Sequence, residues 1–383
     1  MAEIALAVDV YDRTHSSAWV GALLAGATLS SAFVAIACGP LVDRFSRRKV
    51  MIVSDLFRAL VFSLPIFIPS APFIVVVATL AGGATGLFRP ALYAALPALV
   101  GEEALPEANS LYYVVDNVTG LVGPLAGGAL AASVGPHPAY LVNSLSFIVS
   151  AYLLARIREE RLQMSDLKQT SAGHIRDLRA GFSVFTRSRE LKAAIITSVL
   201  VLLTAGAVNA SEVSLAKSSL KIGSFGYGVM VSAAGFGLFI GALLAPALLR
   251  LDRFPLVYSG GIFVIATGTA VVALLPPLPI VLTMLVFSGV GNSLFMTANP
   301  LLIQRGVADA YRGRVLTIFF GTGNLILGLS FVGAGFITDV SSPTFVWALA
   351  GAIIFVAGVV GYVLTRPIDI TRVESLAPGE VIG

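Results

Sequence analysis

Cysteine is almost absent from this chain: Cys38 is the one cysteine in 383 residues. No internal disulfide and no cysteine-built metal site can therefore form. Histidine is nearly as scarce. His15, His137 and His174 fall into no metal-ligand spacing such as HExxH, and no metal or other cofactor is expected. Charge is the third deficit. Only 12% of the residues are Asp, Glu, Lys or Arg, about half of what a soluble protein carries. The net charge of +4 is too small to argue for a nucleic-acid partner. The apolar runs hold no paired catalytic carboxylates and no His or Cys cluster, which speaks against an intramembrane enzyme.

What remains is apolar. Hydrophobic residues make up 57% of the chain, the mean hydropathy is +0.90, and runs of 18 or more apolar residues recur throughout. That pattern predicts an all-α polytopic membrane protein. A transmembrane barrel would instead alternate over segments of about ten residues. Breaks at charge, Pro and Gly give eleven full spans, at 18–41, 50–69, 72–95, 107–133, 136–157, 190–213, 223–250, 255–275, 278–303, 313–337 and 343–365. The opening "MAEIALAVDVYD" has no basic start, so a signal peptide is not expected there. As a helix its first eleven residues would cover roughly 16 Å, against a hydrocarbon core of about 30 Å. It reads as the second half of one more span, so that twelve are expected with the first incomplete. The alternative is an interfacial segment of an eleven-span protein.

Orientation follows from Lys and Arg. With the loop at 39–49 placed in the cytoplasm, only Arg13, Lys217 and Lys221 of the 25 Lys and Arg face outward. A multi-pass protein of the inner or plasma membrane is expected, with its C-terminus cytoplasmic. The longest polar stretch, "RIREERLQMSDLKQTSAGHIRDLRAGFSVFTRSRE" at 156–190, divides the chain. The expected organisation is a transmembrane bundle at 1–155, a linker at 156–189, a second bundle at 190–366 and a tail at 367–383. Two such bundles suit a path between them with a site near the midplane.

The loop "GPLVDRFSRRK" makes the likeness specific. Gly39, Asp43-Arg44 and Arg47-Arg48 at this spacing resemble the signature loop of the major facilitator superfamily, which has Gly in most members where this chain has Ser46. The resemblance implies a latch. Asp43 would accept from neighbouring Arg groups and face the N-terminus of the eleventh span, near Gly313, while the cytoplasmic side is shut. The bland alternative is a basic loop that only sets topology. "SDLFRAL" places Asp55 and Arg58 one turn apart, where they can pair. With "LFRPALYAALPALVGEEALPEANSL" and "RGRVL" it resembles the exporter branch that contains enterobactin exporters and macrolide efflux proteins. In "GLVGPLAGG", Gly120, Gly123, Pro124, Gly127 and Gly128 resemble the antiporter motif of drug–proton exchangers; ordinary small-residue packing is the alternative.

Charge inside spans is expensive and marks function or pairing. Asp116, nearly halfway along its span and followed by Asn117, is the first candidate for carrying a proton; pairing with Arg89 is the alternative. The branch often has Arg-Gln there. Asp9 and Glu3 are further candidates. The superfamily lines its cavity with the first, fourth, seventh and tenth spans, which brings in Asn209, Glu212, Asn292 and Asn299, unless these only bond between helices. The expected protein is a monomeric secondary transporter exporting small amphipathic molecules against protons by alternating access, with the bilayer and a small-molecule substrate as its partners. A metabolite uptake symporter and a non-transporting membrane protein are the rivals.

Overall fold

The computed structural model describes residues 1–42, 45–101, 103–159, 189–249, 254–306 and 309–366, with side chains at 39–42, 106, 113, 189–190, 304–306 and 309–318 left aside. The described chain is helical throughout: α1 (Ala2–Thr14), α2 (Ser17–Val42), α3 (Arg47–Ser63), α4 (Ala71–Val100), α5 (Leu105–Ser133), α6 (His137–Arg156), α7 (Arg189–Ser214), α8 (Gly223–Leu248), α9 (Phe254–Ala273), α10 (Leu278–Gly306), α11 (Asp309–Val340) and α12 (Pro343–Thr365). Local chemistry starts several of them. Ser342 accepts from the N–H of Phe345 at 3.1 Å, with Pro343 as the first helical residue of α12. Proline also sits in the first turn of α4, α5 and α6.

Ten of these helices are long and apolar enough to cross a membrane. The expected span at 50–69 is the exception. Its helix, α3, has 17 residues, includes Arg47, Arg48, Lys49, Asp55 and Arg58, and gives way to a 3₁₀ turn at Leu64–Ile66. Arg58 and Asp55 shorten the apolar run, and Pro65 ends the α-helical hydrogen bonding.

The helices pack as two groups. In α1–α6, α2 lies on α4, and α3 lies on α4 and α6. In α7–α12, α8 lies on α10, α9 lies on α10 and α12, and α7 lies on α11 and α12. In hydrocarbon, apolar faces gain little by meeting, so close backbone approach carries the packing. A Cβ on Gly82 of α4 would come within 2.7 Å of the Ala27 Cα in α2. In the second group the matching crossing joins α8 to α10, where a Cβ on Gly237 would lie 2.9 Å from the Gly289 Cα.

The bundle has two unlike ends. The basic end carries the start of α3 and the ends of α4 and α6, where Arg47 and Arg48 bond. The far end carries the turns after α1, α7 and α11. Asp43, Arg44, the linker at 160–188 and the tail at 367–383 lie outside the described residues, as do the side chains around Gly313, so the expected latch does too.

Candidate transport path and its gate

The two groups meet along α1–α7, α2–α11 and α5–α8, and the contacts run from the middle of the helices to the far end. Two of them, α2–α11 and α5–α8, use glycine for close approach. A Cβ on Gly335 of α11 would lie 2.8 Å from the Ala18 Cα of α2. On α5–α8, a Cβ on Gly228 would lie 2.6 Å from the Pro124 carbonyl oxygen, and one on Gly128 would lie 2.9 Å from the Gly228 Cα. The Ser232 hydroxyl donates to the Leu121 carbonyl at 2.7 Å beside them. Ala25, Ala210 and Phe331 form a small shared apolar cluster nearer the middle.

Polar groups seal the far end. The first N–H groups of a helix have no partner within the helix. At α2 they are taken by Asp339 from the other group. Its carboxylate accepts from Ser17 N–H at 2.6 Å, from Ala18 N–H at 3.1 Å and from the Ser16 hydroxyl. A carboxylate at a helix N-terminus is also favoured by the helix dipole. Nearby, the Lys217 ammonium pairs with Asp12, and Tyr11 and Ser214 share a buried hydroxyl–hydroxyl bond of 3.1 Å. All of these bonds cross from α1–α6 to α7–α12.

Asp339→Ala is expected to loosen this seal. Loss of an N-cap acceptor costs about 1–2 kcal/mol, a factor of about 5–30 in a two-state ratio. The check is alkylation of a cysteine at Ala18, in a chain lacking Cys38, by a membrane-impermeant maleimide. The rate should rise by that factor, and an unchanged rate would remove Asp339 from the seal.

At the basic end the bonds stay within one group. Arg47 donates to the Ala94 carbonyl at 2.7 Å, and Arg48 donates to the Leu154 carbonyl at 3.2 Å and to that of Ala155. They thereby cap the C-terminal parts of α4 and α6. Lys49 lies 3.6 Å from Glu159. The Ser46 hydroxyl, with Lys49 and Arg48 behind it, holds the Glu159 carboxyl below the usual carboxylate range.

The candidate acids separate into three situations. Asp9 is buried and already partnered, accepting from Arg13 Nε at 2.7 Å and from the Tyr140 hydroxyl at 2.8 Å. Asp116 is exposed on α5. It and the exposed Arg89 both lie within electrostatic reach of Tyr93, and among the described residues they form no ion pair within 4 Å. Glu212 is only 6% exposed and has neither a hydrogen bond nor an ion pair among the described residues. Glu3 is exposed, and both it and Glu212 reach the phenol of Tyr227.

Among the amides, Asn299 is buried between helices. Its Nδ2 donates to Ser198, its Oδ1 accepts from Tyr258 at 3.1 Å, and the Tyr258 and Thr197 hydroxyls lie 2.5 Å apart. Asn292 is half-buried and Asn209 exposed. Asp55 and Arg58 are paired and buried. Of the glycine-rich stretch, Gly128 meets the other group directly, Gly123 and Gly127 pack against the backbone of Met1, and a Cβ on Gly120 would meet nothing within 4 Å. Asp339, Asp12, Lys217 and Tyr227 are absent from the sequence-based candidates. Only Ser16-Ser17, a capping pair at a helix start, hinted at the seal. Among the described residues no three His, Cys, Asp or Glu side chains converge on a point that could hold a metal.

Comparison with known proteins adds the following. A family model described as "Transmembrane secretion effector" matches residues 1–378. The MFS-type transporter YfiS of Bacillus subtilis is 23% identical over 342 residues, which cover 87% of this chain and 82% of that protein. Macrolide efflux protein A of Streptococcus pyogenes is 20% identical over 331 residues, covering 85% and 82%. Among solved structures, a point mutant of the nucleoside transporter NupG superposes with a TM-score of 0.79 at 13% identity, covering 95% of each chain.

Proposed function

Because the chain belongs to the major facilitator family of transmembrane secretion effectors, a family of multi-pass transporters rather than enzymes, we propose that it exports small amphipathic molecules across the cell membrane in exchange for protons. The observation that carries this reading is the placement of the contacts between the two helix groups. They hold one end of the seam between the groups shut by backbone approach and a few polar bonds, whereas the described bonds at the other end brace single groups. A pair of bundles joined in that way can rock between two closures. The excess of Lys and Arg makes the basic end cytoplasmic, so the sealed far end is the outer mouth. The C-terminus is then cytoplasmic, and Asp43 would latch the inner mouth in the opposite state.

Efflux is favoured over uptake by similarity to macrolide efflux protein A. Export needs cargo and proton to bias the two states differently, since equal affinity for both shifts nothing. The protein works as a monomer, because both bundles belong to one chain.

The test uses inside-out vesicles and a radiolabelled macrolide. An acid lumen should drive the macrolide inward, and a protonophore should release it. For one-for-one exchange, one pH unit sustains about a tenfold concentration ratio. Accumulation that ignores the pH gradient would defeat proton exchange, and proton-driven release from the lumen would favour uptake symport.

A further inference from the structure

Glu212 is the buried acid that the outer seal leaves without a partner. Two polar neighbours along α7, Ser211 and Ser214, are committed. The Ser211 hydroxyl donates to the Ala207 carbonyl at 2.7 Å and accepts from the Trp347 indole at 3.1 Å. Ser214 is bound to Tyr11 of the other group. The nearest cation along the chain, Lys217, is spent on Asp12. Tyr227 of α8 is 5% exposed and, like Glu212, has no hydrogen bond among the described residues. Glu3 of α1 reaches the same phenol from the opposite group. Tyr227 on α8 is within electrostatic reach of Glu212, and Glu3 on α1 reaches the same phenol; Tyr11, Asp12, Lys217 and Asp339 of the outer seal are each engaged with other partners, and among the described residues Glu212 has no positive partner.

An ionised carboxylate buried without a partner costs several kcal/mol, whereas the neutral acid costs far less. The site also lies where α1 meets α7, so it is opened whenever those two helices part. We propose that Glu212 is the proton-binding group that couples the outer seal to pH, uncharged while α1 and α7 are in contact and ionised in water when they separate. This deepens the proton-exchange reading above and rests on it. Loss of the proton toward the inner side leaves a buried charge, which is relieved by opening the outer mouth. Binding of a proton from outside water lets the mouth close again. One proton is carried inward per closure, and cargo leaves while the mouth is open.

The test needs no cargo. Spin labels at His15 and Ser218, both exposed at the far end, are placed in a chain lacking Cys38 and reconstituted in lipid nanodiscs. Their distance distribution is then measured from acid to alkaline pH. The wild-type background should hold one short distance in acid and gain a longer one as pH rises. Glu212→Gln, which imitates the neutral acid, should stay short throughout. Glu212→Asp draws the carboxylate back by one methylene and should keep the transition with a moved midpoint. Asp12→Asn should keep the transition, since Glu212 remains. A pH-independent distance in the wild type, a Glu212→Gln variant that opens as the wild type does, or a Glu212→Asp midpoint equal to the wild-type one would each overturn the proposal. Cargo transport is a separate measurement. If macrolide export fails while this transition holds, the exporter reading falls and the proton site stands.

Discussion

Gly128→Leu should stop export without preventing the protein from folding in the membrane. A Cβ at position 128 would lie 2.9 Å from both the Gly228 Cα and the Ser224 carbonyl oxygen. Those are backbone atoms of the opposite group, with no flexible side-chain end to move aside. Overpacking a tight contact costs about 1–3 kcal/mol and occasionally more. Four added carbons between two backbones belong at the top of that range. The cost falls only on the arrangement in which α5 and α8 touch, so the helices part and the outer mouth stays open. A penalty of about 3 kcal/mol lowers the closed population roughly a hundredfold, and cycling falls with it. Gly120→Leu, in the same motif, is the control: a Cβ there meets nothing within 4 Å, and export should stay near wild type. Vesicle accumulation of macrolide and the far-end label distance check both variants. Equal loss in the two would mean that the motif acts by bending α5 rather than by admitting α8.

That motif illustrates what is legible in a sequence of this kind. Glycines at 120–128 announce close packing, but they do not say against what. The structure separates them into a member whose Cβ direction meets the other group, two that pack against the backbone of Met1 and one, Gly120, whose Cβ direction is open although its carbonyl oxygen lies 3.1 Å from a Cβ placed on Gly235 of α8. The spans were legible because hydrocarbon imposes length and apolarity on every helix. The run at 50–69 stands apart because it holds Asp55 and Arg58 and its α-helix stops at 17 residues. The seal was not legible: Ser16 and Asp339 are 323 positions apart, and no local pattern links them. Among the acids, Asp9 had a visible clue in Arg13 four residues on; Tyr140 completes it from 131 positions away. Asp116 is a candidate by its depth in the span, yet depth does not tell which face a side chain occupies, and the structure leaves it exposed. Glu212 stood among the candidates for its location alone. Only tertiary structure shows that Ser211 and Ser214, beside it on its helix, are already engaged.

Asp55→Ala is expected to destabilise the first helix group by about 3–5 kcal/mol, the cost of stranding the partner of a buried ion pair. Asp55 is 1% exposed and Arg58 8%. The Asp55 carboxylate accepts from Arg58 Nη2 on its own helix and from the Ser150 hydroxyl of α6 at 2.7 Å. The guanidinium carbon lies 4.5 Å from the ring centroid of Phe88 on α4 and 4.4 Å from that of Phe147 on α6. The pair therefore ties α3 to both its neighbours, and it does so in a helix too short and too charged to be held by lipid alone. Removal of the carboxylate leaves a cation between two rings, with its Nε already lacking a hydrogen-bond partner. Cation–π contact returns about 2 kcal/mol at best, which is less than the loss. Asp55→Ala combined with Arg58→Met should recover most of the stability, because the thioether can rest between the same rings without a charge to satisfy. Unfolding temperature in detergent and the amount of monodisperse protein check both variants. If the double variant melts as low as Asp55→Ala, the ion pair organises α3, α4 and α6 through directed bonds and not merely by balancing its own burial.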